Sequence, residues 1–235
     1  MNTCVCGHSK QFHACGSGRC EVIPQGGLRC GCQGFKLPVP DSELPTVEDV
    51  QAVYAQTATR KGDWFVTYSG KQFWPLDPQP QDVCVRDIAH HLSLVCRFGG
   101  AVRTHYSVAQ HSLIVADILP PRLKLRGLLH DATEAYVGDM VRPLKRFMPD
   151  YREVENKVWA AIIARFALPA ITDEDEAQIK EADNIALVTE RRDLLLKFPY
   201  QWSVTETPLP GHLVPLTARE AEIKFLEAFD ELSVL

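Results

Sequence analysis

Hydrophobic residues recur every three or four positions along most of the chain after residue 84. This spacing is the repeat of one face of an α-helix, and prolines interrupt it between segments. Before it, two short aromatic runs in residues 64–76 flank Ser-Gly-Lys, a pattern typical of a β-hairpin. The pattern therefore predicts an all-α domain preceded by one hairpin. The predicted helical segments are 85–98, 107–119, 122–136, 151–167, 173–196 and 217–232.

The first 60 residues are organised differently. Residues 1–36 are rich in Cys and Gly and poor in apolar side chains, so they cannot fold on a hydrophobic core alone. Three prolines mark 36–45 as a linker, and a threonine followed by valines at helical spacing predicts a helix at 46–59. The chain of 235 residues suits one sizeable domain and a small appendage. We therefore divide it into a Cys/His-rich module (1–36), a linker and helix (37–60) and a main domain (61–235).

Composition narrows the class of protein. The net charge of -5 argues against a nucleic-acid-binding surface, which is usually basic. No run of 18 apolar residues would form a transmembrane helix, and the N-terminus lacks a hydrophobic signal region. We therefore expect a cytoplasmic protein without a membrane partner. In that compartment, cysteines clustered with histidines indicate bound metal rather than disulfides. Cys84 and Cys96 lie apart in apolar surroundings, where we expect core residues.

The N-terminal module carries more candidate ligands than one zinc ion needs. It contains six cysteines and two histidines, whereas a structural zinc takes four ligands. The candidates for a single site are Cys6, His13, Cys20 and Cys32, with Cys4 and Cys30 as close alternatives. Two zinc ions, or a redox-labile tail without metal, are the competing interpretations. We expect the module to recruit a protein partner or to stabilise the chain.

Some ionisable residues occupy positions that should face the core. His111 follows Val108 by three positions and precedes Val115 by four, so it shares their helix face. Asp183 likewise falls on the apolar face of its own segment. A buried histidine is often only a hydrogen-bonded core residue, but a lone buried aspartate is rare. These positions therefore point to a shared site.

The stretch LLHDATEAYVGDM (128–140) places His130 and Asp131 directly behind a leucine-rich face. Burying such groups costs several kcal/mol unless they are paired or hold a metal. With His111 and Asp183, three separate segments supply two imidazoles and two carboxylates. This set suits a divalent transition metal that keeps positions open for water and substrate.

The order of these residues, H…HD…D in helical contexts, resembles the HD-domain metal-dependent phosphohydrolase superfamily. SVAQHS and GLLHDATEAYVGDMVRPLKRF are similar to small bacterial 5'-deoxynucleotidases and to phage-encoded deoxyadenosine triphosphohydrolases of the same fold. The resemblance covers about 64–198 and is most specific over 105–147. It implies an all-α HD-domain helical bundle. The metal ligands that it implies are His111, His130, Asp131 and Asp183.

The resemblance assigns catalytic roles to two further acids. Glu134 and Asp139 match residues that assist the attack of water or the departure of the leaving group. On a continuous helix, Glu134 would share a face with His130 and Asp131. Without the resemblance, Glu134 could equally be a solvated helix acid, and Asp139 could cap the segment that follows.

Substrate-binding residues follow from the same resemblance. Arg97 and Phe98 match a pair in which arginine holds a phosphate and the aromatic ring stacks on the sugar or base. The usual aromatic residue there is Trp, and the two glycines at 99 and 100 also depart from some relatives. A basic cluster suited to further phosphates, or simply to solvation, comprises Arg142, Lys145 and Arg146.

Together these features predict a phosphohydrolase of deoxynucleotides that uses a divalent ion such as Co, Mn, Zn, Mg or Fe. Such an ion polarises a phosphoryl oxygen and activates water for attack on phosphorus. Release of phosphate from deoxynucleoside 5'-monophosphates is the favoured reaction. Triphosphate release from a dNTP is the first alternative, and a non-catalytic protein that senses nucleotides or binds a partner is the second. The resemblance also implies a homo-oligomer.

Overall fold

The computed structural model describes residues 59–200 and 202–233. The chain divides into two compact units, Met1–Arg60 and Lys61–Leu235, and nearly all the described residues belong to the second. The predicted zinc module and nearly all of the predicted helix at 46–59 lie outside the described residues.

The described part of the chain is mostly helical and contains eight α-helices and one small hairpin. The helices are α1 (Val85–Leu94), α2 (Val108–Ile118), α3 (Pro121–Leu128), α4 (Glu134–Val137), α5 (Arg142–Lys145), α6 (Pro149–Phe166), α7 (Asp173–Leu194) and α8 (Ala218–Leu232). The mostly helical class and the hairpin predicted from the periodicity are therefore confirmed. Within this part, no helix combines the length and apolarity needed to cross a bilayer.

The hairpin consists of β1 (Phe65–Val66) and β2 (Gln72–Phe73), paired antiparallel. It is fixed to α1 by polar contacts. The Asp87 carboxylate accepts hydrogen bonds from the Ser69 backbone N–H at 2.6 Å and from its hydroxyl at 2.8 Å. Because Asp87 is fully buried, this carboxylate binds the hairpin turn to the helical domain.

Side-chain caps set where the long helices begin. Ser107 accepts from the Gln110 N–H at the start of α2, which places His111 at the end of the first turn. Thr172 and Asp175 form a reciprocal capping box at the start of α7. A capping box satisfies two backbone N–H groups that the first helical turn leaves without partners. These caps fix the register of the two helices that carry His111 and Asp183.

The core has two parts. The larger joins the hairpin to α1, α2, α3, α6 and α8, and includes Ile88, Leu128 and Phe225 at full burial. The smaller lies between α2, α3 and α7, where Val115 and Ala186 pack. The two helices that carry His111 and Asp183 therefore pack against each other through this smaller apolar cluster. Cys84 and Cys96, expected in the core, are only partly buried and carry free thiols.

Two predicted helices end at least four residues earlier than the periodicity indicated. The first ends at Leu94, and Arg97–Gly100 forms a short 3-10 turn. The third ends at Leu128, and residues 129–133 form tight turns in which, for example, the Glu134 N–H donates to the Asp131 carbonyl at 3.0 Å. The prediction of one helix through His130 and Asp131 is therefore wrong. The His130 ring hydrogen-bonds the Gly127 carbonyl at 2.7 Å, and such local side-chain bonds compete with the helical pattern.

Replacing the buried Asp87 by alanine should destabilise the domain by about 2–3 kcal/mol, because the partly buried Ser69 donors lose a charged acceptor. Urea unfolding measures the change in free energy. Asp117→Ala is the matched control, since this exposed aspartate has only a 4.0 Å contact with Lys124 and should change stability by less than about 0.5 kcal/mol. Equal effects of the two substitutions would contradict the role given to Asp87.

Candidate metal centre

Three of the predicted metal ligands converge in the structure. His111 projects from α2, and His130 and Asp131 occupy the turns after α3. The His111 Nε2 lies 3.3 Å from the His130 Nε2 and 3.6 Å from the Asp131 Oδ2. The His130 Nε2 lies 3.3 Å from the same oxygen. These three residues form a group that could hold a metal ion.

The hydrogen bonds of the two imidazoles indicate what they can bind. The His111 Nδ1 contacts the Glu190 Oε1 at 2.6 Å, and the His130 Nδ1 contacts the Gly127 carbonyl at 2.7 Å. Both partners are acceptors, so each neutral ring must carry its proton on Nδ1. The two Nε2 atoms then face each other through lone pairs, beside the Asp131 carboxylate. Such an arrangement requires a proton or a metal cation between them, and it is the geometry of metal-binding histidines.

Asp183, the fourth predicted ligand, reaches the group from α7. Its Oδ1 lies 3.3 Å from the His111 Nε2, while its other oxygen pairs with Lys180 and lies 3.5 Å from the Arg142 Nη2. It is not part of the compact three-residue group. Burial opposes its ionisation, but His111, His130 and Lys180 outweigh burial and hold the Asp183 pKa far below its usual range. Asp183 is thus a charged carboxylate beside the site, and its role as a ligand stays a prediction.

Glu190 is a buried site residue that the sequence pattern alone did not reveal. Its carboxylate is fully buried and accepts from the His111 ring, from the Tyr106 hydroxyl at 2.9 Å and from the Arg97 Nε at 3.1 Å. These three partners keep the Glu190 pKa below its ordinary value despite burial. A signal existed in the sequence, because Glu190 follows Asp183 by seven positions and so lies on the same face of α7, two turns on.

Arg97 completes the charged neighbourhood. Its Nη1 lies 3.6 Å from the Asp131 Oδ2, and its Nη2 lies 3.1 Å from the Glu190 Oε2. Burial alone would lower the Arg97 pKa, but Glu190 and Asp131 raise it above the usual value. The predicted phosphate-binding guanidinium is therefore charged, buried and adjacent to the candidate ligands.

The carboxylates nearest the site differ in their affinity for protons. Burial raises the pKa of Asp131, but His130, His111 and Arg97 reverse the effect and hold it well below the usual range. Glu134 is buried, and its pKa is raised well above normal by that burial and by the charges of Asp131 and Asp139. Its Oε2 has no hydrogen-bond partner within the described residues. Burial also raises the Asp139 pKa, although Arg97 opposes the change.

Two of the three residues of the predicted phosphate-binding cluster pair with carboxylates, and the third, Arg146, is exposed. The Lys145 Nζ lies 2.6 Å from the buried Glu155 carboxylate, and Arg142 contacts Asp183. Phe98, the predicted stacking residue, has a left-handed backbone, with φ at 58°. Its ring centroid lies 5.4 Å from the Arg97 guanidinium.

Comparison with known proteins identifies relatives of this chain. No family model matches it. YfdR, an uncharacterized protein of Escherichia coli K12, is 40% identical over 173 residues, which are 72% of this chain and 95% of YfdR. An uncharacterized protein of Rhodobacter capsulatus is 37% identical over 137 residues, which are 54% of this chain and 70% of that protein. Neither name states a function, so the chemistry has to be inferred from the site.

Metal affinity should rise with pH, because His111 must lose a proton to bind a metal. Burial and Arg97 lower its pKa, but Glu190 and Asp183 outweigh them and raise it to about 9. Below that pH, the Mn²⁺ dissociation constant should fall roughly tenfold per pH unit as one proton is released, and it should level off above it. Calorimetric titration between about pH 6.5 and 8.5 measures the dissociation constant over the range in which it should fall.

The matched variant is Glu190→Gln. It removes the carboxylate that raises the His111 pKa, so the affinity should level off at a lower pH than in the wild type. A wild-type dissociation constant that stays the same over the whole interval would contradict the assignment of His111 as a ligand that must lose a proton before it binds the metal.

Proposed function

The chain belongs to the protein family of YfdR from Escherichia coli, and we propose that it is a metal-dependent phosphohydrolase acting on deoxynucleotides. The observation that carries the proposal is the pair of Nε2 atoms, 3.3 Å apart, that face each other beside a carboxylate and a buried arginine. This arrangement can bind a cation and an anion side by side. A phosphate ester is an anion that requires both for hydrolysis.

His111, His130 and Asp131 would hold the metal, and Asp183 would supply the fourth ligand. A divalent ion bound there polarises a phosphoryl oxygen and activates water. Co, Mn, Zn, Mg and Fe are all candidates; the two imidazoles favour the transition metals over Mg. The hydrogen bond from His111 to Glu190 fixes the ring orientation and increases the basicity of its Nε2.

Arg97 would bind the scissile phosphate. Its guanidinium is held between the Glu190 carboxylate and the Asp131 carboxylate, so it is oriented before substrate arrives. A planar guanidinium binds phosphate oxygens through two parallel hydrogen bonds. Such a group stabilises the charge that spreads over the equatorial oxygens in the transition state.

Glu134 would carry a proton to or from the reacting oxygens. Its raised pKa favours the protonated form, and its Oε2 has no hydrogen-bond partner within the described residues. It can therefore protonate the departing sugar oxygen or accept a proton from the attacking water. Asp139 raises the Glu134 pKa through its charge, which makes it a supporting acid in this scheme.

The contacts of the basic cluster favour monophosphates as substrates. A triphosphate brings extra negative charge that free cations must balance. Lys145 is bound to Glu155, and Arg142 contacts Asp183. Arg97 is itself paired with Glu190, but it is the cation that lies against Asp131 of the three-residue group, which suits a single phosphate. We therefore propose that the protein releases phosphate from deoxynucleoside 5'-monophosphates.

A panel of all dNMPs and dNTPs, each incubated with enzyme and Mn²⁺ or Co²⁺, tests the proposal. Deoxynucleoside and inorganic phosphate should form from the monophosphates, and chelation of the metal or Asp131→Asn should abolish turnover. Tripolyphosphate from dNTPs with untouched dNMPs would instead identify a triphosphohydrolase. Metal-dependent nucleotide binding without any turnover would identify a sensor.

Substituting Glu134 by glutamine should leave metal content unchanged and lower the rate by about 10²–10⁴, because the amide keeps the shape but cannot transfer a proton. Rates on a preferred dNMP and metal analysis of the purified variant measure both effects. Glu153→Gln is the control, since this exposed acid on α6 pairs with Lys157 and not with the site. A rate loss below about threefold would exclude the proton-transfer role.

A further inference from the structure

A row of aromatic side chains begins beside Arg97 and continues through residues that the proposed function does not yet use. The Phe98 and Trp202 ring centroids are 6.2 Å apart, with planes inclined by 29°. The Trp202 and Phe198 centroids are 5.8 Å apart, with planes inclined by 35°. All three rings are only partly buried. Partly exposed aromatic clusters are uncommon on a protein surface unless something binds them.

The guanidinium of Arg191 packs against two of these rings. The Arg191 guanidinium lies 5.0 Å from the Phe198 centroid and 5.1 Å from the Trp202 centroid. Its Nη2 also donates to the Tyr200 carbonyl at 3.2 Å. A cation over aromatic faces is attracted to them. Arg191 therefore fixes both rings relative to α7, the helix that carries Asp183 and Glu190.

The segment after Trp202 is also bound to α7. The Leu209 N–H donates to the Thr189 hydroxyl at 2.8 Å, and the Leu213 N–H donates to the Asp193 carboxylate at 2.8 Å. These bonds run along one helix, so the segment follows α7 closely. The chain that follows Trp202 is thereby held along α7.

The backbone at Phe98 connects this row to the metal centre. Phe98 has φ at 58°, and Gly99 and Gly100 follow at 58° and 83°. A bulky side chain rarely adopts the left-handed region, and such residues concentrate at functional sites. The turn places the Phe98 ring beside both Arg97 and Trp202. The guanidinium that faces the ligand group and the first ring of the row thus come from adjacent residues.

We propose that Trp202 and Phe198 extend the aromatic surface of Phe98 into a platform on which the base of the nucleotide stacks. The inference rests on the proposed function and adds to it the residues that recognise the base. A phosphate held by Arg97 leaves the sugar and base to extend over the neighbouring aromatic row. Every base has a π-face, so stacking tolerates different bases. The platform therefore separates nucleotides from smaller phosphate esters more strongly than it separates one base from another.

The experiment compares two substrates in three variants. Wild type, Trp202→Leu and Trp202→Phe are each assayed with Mn²⁺ on dAMP and on 2-deoxyribose 5-phosphate, which lacks the base. Trp202→Leu should lose about 5- to 100-fold in kcat/KM on dAMP, mainly through KM, and keep its rate on the sugar phosphate. Trp202→Phe should recover most of the loss because it restores a ring. Trp64→Leu, a half-exposed tryptophan of the hairpin, should match the wild type on both substrates.

Each other outcome counts against the inference in a distinct way. Unchanged dAMP kinetics in Trp202→Leu would exclude the platform while leaving the proposed function intact. An equal loss on dAMP and on the sugar phosphate would show that Trp202 acts only through the fold. Absence of turnover of every deoxynucleotide by the wild type would overturn the proposed function and this inference with it.

Discussion

The buried carboxylate of Glu190 connects the parts of the site that come from different elements. It accepts from the ring of His111 on α2, from Tyr106 before that helix and from Arg97 in the turn after α1. A buried charge costs several kcal/mol unless its partners compensate it, and here two hydrogen bonds and a guanidinium do so. Because one carboxylate orients both a candidate metal ligand and the candidate phosphate ligand, the two cannot shift independently.

The electrostatics of the site separate its acids into two groups. Asp131 and Asp183 lie next to imidazole rings and to cationic side chains, so they stay ionised. Glu134 is buried beside other carboxylates without a described partner for its Oε2, so it favours the protonated form. Divergent pKa values within one site are how a protein assigns charge stabilisation to some carboxyls and proton transfer to others. The arrangement therefore fits the hydrolytic reaction proposed for the site.

The helix α7 performs several of these tasks at once. Asp183 and Glu190 project from one face towards the ligand group, and Arg191 holds the aromatic row beside it. The segment 202–213 is bound along the same helix. A shift of α7 would therefore move the candidate fourth ligand, the orientation of His111 and the proposed base platform together.

The sequence by itself determined the helical class, the hairpin and the residues of the group that could hold a metal. Helical periodicity and the placement of ionisable groups on apolar faces are local properties, and His111, His130 and Asp131 were identified from them and from the resemblance. The tertiary structure decided what depends on contacts between distant segments. Only packing could show that Glu190 hydrogen-bonds His111, that Lys145 pairs with Glu155, and that the Trp202 ring lies beside Phe98. The end of the helix at Leu128 was also decided by the tertiary structure. The side chain of His130 hydrogen-bonds the backbone in the tight turns that replace the helix, whereas periodicity records only which residues are apolar.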